Sequence, residues 1–202
     1  GVQTCALPIC TGQPVPNTKT WGALTAVARA TGARLGITER ERGTIIATVP
    51  HQHMFGLEAS VMLPLRYGWV MHAGRPLFPD DIRHALSTVP GERILVTTPL
   101  HIRACVNAAI RVPSLRLILS ATAPLSKELA REAEQRFGTE VREIFGFAEA
   151  GSVAERRTIA TDQWKPLDGV TLIEQESQWA VQADYLPRPV LFPDRIAMSE
   201  GG

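Results

Sequence analysis

Four short apolar runs set the strongest limit on what this chain can fold into: Thr44 to Val49, Trp69 to Met71, Arg93 to Thr97 and Leu115 to Leu119. Each is rich in branched side chains and bounded by Gly, Pro or polar residues, as buried strands should be. Helical patterns lie between them. Trp21 to Ala33 has Leu24, Val27 and Ala28 on one face, and Phe55 to Leu65 is apolar almost all round. Asp80 to Val89 opens after Pro79 with two carboxylates, and Leu100 to Ile110 follows. Ser126 caps a further helix that has Glu128 in its first turn, passes through Leu129, Ala133 and Phe137, and stops at Gly138. A strand from Val141 to Phe145 comes next. This order predicts the α/β class: a doubly wound, mostly parallel sheet with helices on both faces, whose ligands bind beyond the carboxyl ends of the strands. After about Gly151, VTLIEQ and QWAVQAD predict two shorter strands, a small β element following the doubly wound part.

The first ten residues, GVQTCALPIC, resemble a short export signal but lack its basic start, its unbroken apolar stretch of roughly 7–15 residues and its cleavage site. The DNA string GGAGTTCAGACGTGTGCTCTTCCGATC translates as GVQTCALPI and looks like the end of a sequencing-library adapter, so residues 1–10 are expected to be non-native. The expected organisation is then 11–150 for the α/β nucleotide-binding part and 151–202 for the small β element, with the chain reading as cut at both ends. Hydrophobic residues make up 45%, charged residues 20%, and the net charge is +1, with no block of like charge to suggest nucleic acid. Runs such as ILVTTPL fall far short of the roughly 20 residues that span a bilayer. With Cys5 and Cys10 set aside, Cys105 remains, so no disulfide framework is expected and a cytoplasmic location follows. Cys105 lies among Ala and Val in a helical pattern and reads as a small buried thiol.

Three strand-end loops offer chemistry. TGQPVPNTK, Thr11 to Lys19, leads into the helix at Trp21 and could present backbone N–H groups, hydroxyls and a Lys to phosphate, although a plain surface turn would look the same. SATAPLS, Ser120 to Ser126, has small residues that let a flat ring approach the backbone, as would an ordinary strand-to-helix connection ending in a Ser cap. EIFGFAEAGS, Glu143 to Ser152, ends in an aromatic, a Gly and a carboxylate able to hold a divalent cation beside phosphates; a solvated Glu is the plainer reading.

Together, and in this order, these segments resemble the adenylate-forming superfamily of acyl-CoA synthetases and acyl-ACP ligases, over about Thr11 to Gly202. TGQP looks like the tail of its phosphate loop, SATAPLS like its adenine-binding loop, and FGFAE like its Tyr-Gly-x-Thr-Glu signature. PHQHMFGLE resembles a Pro, His, Gly pattern at the acyl pocket, and PDRIAMSEGG its Thr-Gly-Asp segment. The resemblance implies that Thr11 and Gly12 contact the phosphates, that Ala121, Thr122, Ala123, Phe145, Gly146 and Ala148 surround the nucleotide, and that Asp194 holds the ribose. It further implies that Glu149 is the catalytic and magnesium-holding carboxylate, and that His53, Phe147 and Gly151 border the acyl group. The chain departs from the pattern where the signature Thr is Ala148, where Phe192 and Pro193 replace Thr-Gly, and where Val15 stands in place of the usual Lys, leaving Lys19 nearby.

AEAGSVAERR and WKPLDGV further resemble the subgroup found in aryl-polyene and xanthomonadin-type pigment clusters. The implied function is ATP- and Mg2+-dependent activation of a small carboxylic acid to acyl-AMP, followed by transfer to the phosphopantetheine thiol of an acyl carrier protein or CoA. Two alternatives remain at this point: a non-catalytic nucleotide-binding module, and a nicotinamide-dependent reductase, the latter opposed by the lack of GxGxxG after an early strand. Arg156 and Arg157 read as a solvated edge. His51 and His53 form an HxH with no further ligand at metal spacing.

Overall fold

Ile45 and Ile46 are adjacent in sequence and enter different cores, and the whole architecture follows from that alternation. A computed structural model of the chain describes residues 2–7, 15–175 and 178–192. Its central sheet has seven strands, which begin, in spatial order, at Val70, Gly43, Glu92, Leu117, Val141, Gly151 and Lys165. Five of these, β3 (Gly43–Ala47), β4 (Val70–Met71), β5 (Glu92–Thr97), β6 (Leu117–Ser120) and β7 (Val141–Phe147), run parallel. Ile45, Ala47, Ile94, Val96, Leu117 and Leu119 pack to one side with Phe55, Leu63 and Tyr67. Ile46, Leu95 and Ile118 pack to the other with Ile82, Leu86, Ile102 and Leu129. Both sheet faces are therefore dry, which is why the strand sequences are apolar runs and not alternating ones.

The helices carry the expected end signals. Thr20 caps α1 (Trp21–Arg34) by accepting from the Ala23 amide, and Ser126 caps α6 (Lys127–Phe137) by accepting from the Leu129 amide at 3.2 Å. Gly138 ends α6 with φ 64°. Pro occupies the first position of α4 (Pro79–Thr88) and of α5 (Pro99–Asn107), where its missing N–H costs nothing. The apolar segment after β3 is one continuous helical run in three parts: α2 (Met54–Gly56), a π-helical segment (Leu57–Met62) and α3 (Leu63–Tyr67). Among the described residues no helix is long and apolar enough to cross a membrane.

Two features lie outside the sequence expectation. Residues Val15–Thr20, read as part of a loop, form strand β2, which pairs antiparallel with β1 (Val2–Leu7). At the other edge β7 turns back into antiparallel β8 (Gly151–Arg156), followed by β9 (Lys165–Pro166). The predicted small β element is a separate antiparallel sheet of β10 (Val170–Gln175), β11 (Gln178–Ala183) and β12 (Val190–Leu191).

Candidate active site

The signature segment is the tip of a hairpin. Strand β7 runs through Phe147, the chain turns over residues 148–150, and β8 returns with Gly151 opposite Phe147 and Ser152 opposite Gly146. The register slips between Phe145 and Gly146, a bulge that re-aims the strand end. A Cβ on Gly146 would collide with the Gly151 carbonyl, and Gly151 holds φ +86°, a conformation that favours glycine. Glu149 is left exposed at the apex.

Two charged side chains from distant elements reach this tip. Lys19, at the buried side of β2 and 9% exposed, donates from Nζ to the Glu149 carbonyl at 2.6 Å. Glu58, in the π-helical segment and 4% exposed, accepts at Oε2 from the Ser152 amide at 2.9 Å and from the Ser152 hydroxyl at 2.7 Å. Burial pushes the Glu58 carboxyl above its ordinary value, opposed by the two Ser152 bonds and the charge of Lys19. Tyr185, whose hydroxyl is buried with no hydrogen-bond partner among the described residues, is pushed up to about 12 by burial and by the neighbouring Glu58. A cleft of about 1170 Å³ opens here, lined by Asn17, Lys19, Glu149, Asp184, Tyr185 and Arg188 among others.

The loop after β6 is built for exposure of its backbone. Ala121 is buried while Thr122 and Ala123 are exposed, and Thr122 sits at φ 76°. A β-branched residue in that region is strained, and such strain gathers at functional sites. Leu125 ends the loop by donating its amide to Glu143 Oε1 at 2.9 Å.

Phe145 does not stand alone with an open ring. Phe192 lies against it at 6.0 Å with 14° between the planes, Trp164 at 5.4 Å and Phe147 at 6.4 Å. Phe145 and Phe147, two apart on one strand, thus share a face and an aromatic cluster. Arg156, read as a solvated edge residue, instead lies 4.2 Å over the Trp164 ring and pairs with buried Glu143 at 2.8 Å. Its neighbour Arg157 pairs with Glu134 at 2.6 Å. His53 caps α2 by accepting the Phe55 amide at Nδ1, and burial holds its ring below the usual imidazole range. The turn it caps packs on β8. Thr11, Gly12 and Asp194 lie outside the described residues.

Lys19, Gly146, Ala148, Glu149 and Gly151 are therefore brought together at one tip, at the carboxyl end of β7, while the loop of Ala121 to Ala123 follows the carboxyl end of the adjacent strand β6. Glu58 was missed by sequence reasoning, although it is the one charge in the stretch Met54 to Leu65, a signal that could have marked it. Among the described residues no group of three or more His, Cys, Asp or Glu could hold a metal ion. Glu149, exposed at the tip, offers one hard oxygen ligand of the kind magnesium takes alongside substrate phosphates.

Known proteins share this fold and part of this sequence. The chain is 27% identical over 147 residues to a 4-coumarate–CoA ligase of Rhodobacter capsulatus, an overlap of 73% of this chain and 37% of that protein. Its fold is similar to O-succinylbenzoate coenzyme A synthetase (MenE) from Bacillus subtilis in complex with AMP, with TM-score 0.71 and 21% identity over 91% of this chain and 40% of that one. It is likewise similar to the anthranilate CoA ligase AuaEII in complex with anthranoyl-AMP, with TM-score 0.75 and 18% identity over 91% of this chain and 39% of that one. The chain spans about two-fifths of the length of these relatives. The sequence profile of the AMP-binding enzyme family matches residues 10–178, and the chain belongs to that family.

Proposed function

We propose that this chain is part of an ATP-dependent ligase that activates a small carboxylic acid. The acid's carboxylate attacks the α-phosphate of ATP, giving acyl-AMP and pyrophosphate, and the acyl group then passes to a phosphopantetheine thiol with release of AMP. Catalysis is chiefly positioning and neutralisation of charge. The observation that carries this reading is the hairpin tip itself, where Glu149 stands exposed over a cleft with its own carbonyl held by Lys19.

In this reading the loop of Ala121, Thr122 and Ala123, exposed at Thr122 and Ala123, and the aromatic cluster around Phe145 border the adenine. Ala148 removes the signature hydroxyl, so contact with the α-phosphate falls to Lys19 and to Thr11 and Gly12. Asp194 holds the ribose. His53, Phe147 and Gly151 border the acyl group. Glu149 holds magnesium, which when bound neutralises phosphate charge. The acid is of the aryl or slender acyl type, the acceptor is an acyl carrier protein of the pigment-cluster kind or CoA, and the protein acts in the cytoplasm.

The test uses the full-length protein and a panel of aryl and fatty acids in pyrophosphate-release assays, with CoA and holo-acyl carrier protein offered in parallel. Glu149→Gln is expected to abolish acid-dependent pyrophosphate release. Unchanged turnover in that variant rejects the role.

A further inference from the structure

We propose that Glu58 is a positioning residue, a carboxylate that clamps the hairpin tip from behind so that Glu149 faces the nucleotide site in one fixed orientation. This rests on the reading of Glu149 given above. Both polar hydrogens of Ser152, its amide and its hydroxyl, converge on one oxygen of Glu58, at 2.9 and 2.7 Å. The other oxygen lies against Gly151, where a Cβ would sit 2.5 Å from it. Three residues before Ser152 comes Glu149, whose carbonyl accepts from Lys19 of β2, a strand outside the hairpin. The tip from Phe147 to Ser152 is thus held at Glu149 and at Ser152 by charged side chains that come from other elements.

A carboxylate buried this deeply is an expensive way to hold a hairpin, because an apolar side chain of similar volume would pack the same space without desolvating a charge. The segment that supplies it is also unusual. Glu58 sits in a π-helical stretch, a geometry that lies inside an otherwise α-helical run and recurs at functional sites. Residues that orient a metal-holding group from behind govern how well the ion is bound even though they never touch it.

The decisive experiment titrates Mg2+ by calorimetry into full-length protein saturated with a non-hydrolysable ATP analogue, for wild type, Glu58→Ala, Ser152→Ala, Glu58→Gln and Glu149→Gln. Thermal melting of each variant is recorded alongside. Glu58→Ala and Ser152→Ala are expected to weaken Mg2+ binding by about 10- to 100-fold, with affinity for the analogue in the absence of metal unchanged. Glu58→Gln keeps an acceptor oxygen for Ser152 and should hold binding near the wild-type value, whereas a mere packing role would leave Ser152→Ala at wild-type affinity and so overturn the clamp. Should Glu58→Ala fail to fold, Ser152→Ala decides. Wild-type Mg2+ affinity in Ser152→Ala and Glu58→Ala beside a weakened Glu149→Gln overturns the clamp alone. Wild-type affinity in Glu149→Gln rejects the reading of Glu149 and the clamp with it.

Discussion

Glu143 and Leu125 are joined across eighteen residues by a 2.9 Å hydrogen bond from the Leu125 amide to Glu143 Oε1. The second oxygen accepts from Arg156 at 2.8 Å and from the Thr158 hydroxyl at 2.9 Å, and Glu143 is 3% exposed. One carboxylate therefore ties the loop of Ala121 to Ala123 to the arginine that lies over Trp164. Replacing it with alanine orphans a backbone amide and leaves Arg156, whose side chain is 16% exposed, without its partner. Glu143→Ala is expected to destabilise the fold by about 3 kcal/mol, read from urea unfolding. Glu143→Gln, which keeps an acceptor for Leu125, should cost less.

A second prediction concerns Gly151. Its φ of +86° penalises any Cβ by about 1–2 kcal/mol, and Glu58 Oε1 adds a collision at 2.5 Å. Gly151→Ala should therefore cost more in the wild type than in a Glu58→Ala background, where only the backbone strain remains. A double-mutant cycle measures the difference, expected to be at least about 0.5 kcal/mol. Strict additivity would mean that Glu58 does not crowd Gly151.

The parallel core was legible because its signal is local. Residues such as Ile94, Leu95 and Val96 must be apolar on both sides of the sheet, and Ser126 and Gly138 mark helix ends through contacts within a few residues. The place of Glu149, just after a strand, was legible for the same reason. What escaped depends on partners far along the chain. Glu58 looks like a stray charge in an apolar helix until Ser152, 94 residues on, supplies two donors. Arg156 looks solvated until the fold puts Glu143 and Trp164 against it. The strand β2 was read as a loop because its Pro, Asn and Thr residues carry no apolar pattern, and only its pairing with β1 defines it.

Cys105 gives a third test. It is 3% exposed within the core beneath α5, and burial pushes its thiol up to about 11. Since the thiolate is the reactive form, Cys105 should resist iodoacetamide at pH 8 in the native protein and react fully once unfolded in urea, read by mass mapping of its peptide. Rapid native-state labelling at Cys105 would contradict the packing of α5 on the sheet.

The last prediction follows the titration of Glu58. Burial is the largest influence and raises its pKa above the ordinary 4.5, with the Ser152 bonds and Lys19 opposing. The folded state therefore binds this proton more tightly than the unfolded chain does. Below pH 4.5 both states hold the proton and the carboxyl costs the fold nothing in charge. As pH rises from 4.5 toward the raised folded value, the unfolded chain ionises first, so the contribution of Glu58 to stability declines through that window and then levels off. Glu58→Gln cannot ionise. The stability of wild type relative to Glu58→Gln should accordingly fall as pH rises from 4.5, in urea unfolding at a series of pH values. A difference that instead grows in favour of the wild type would show that Lys19 and Ser152 outweigh burial, and that the clamp is held as an ion pair.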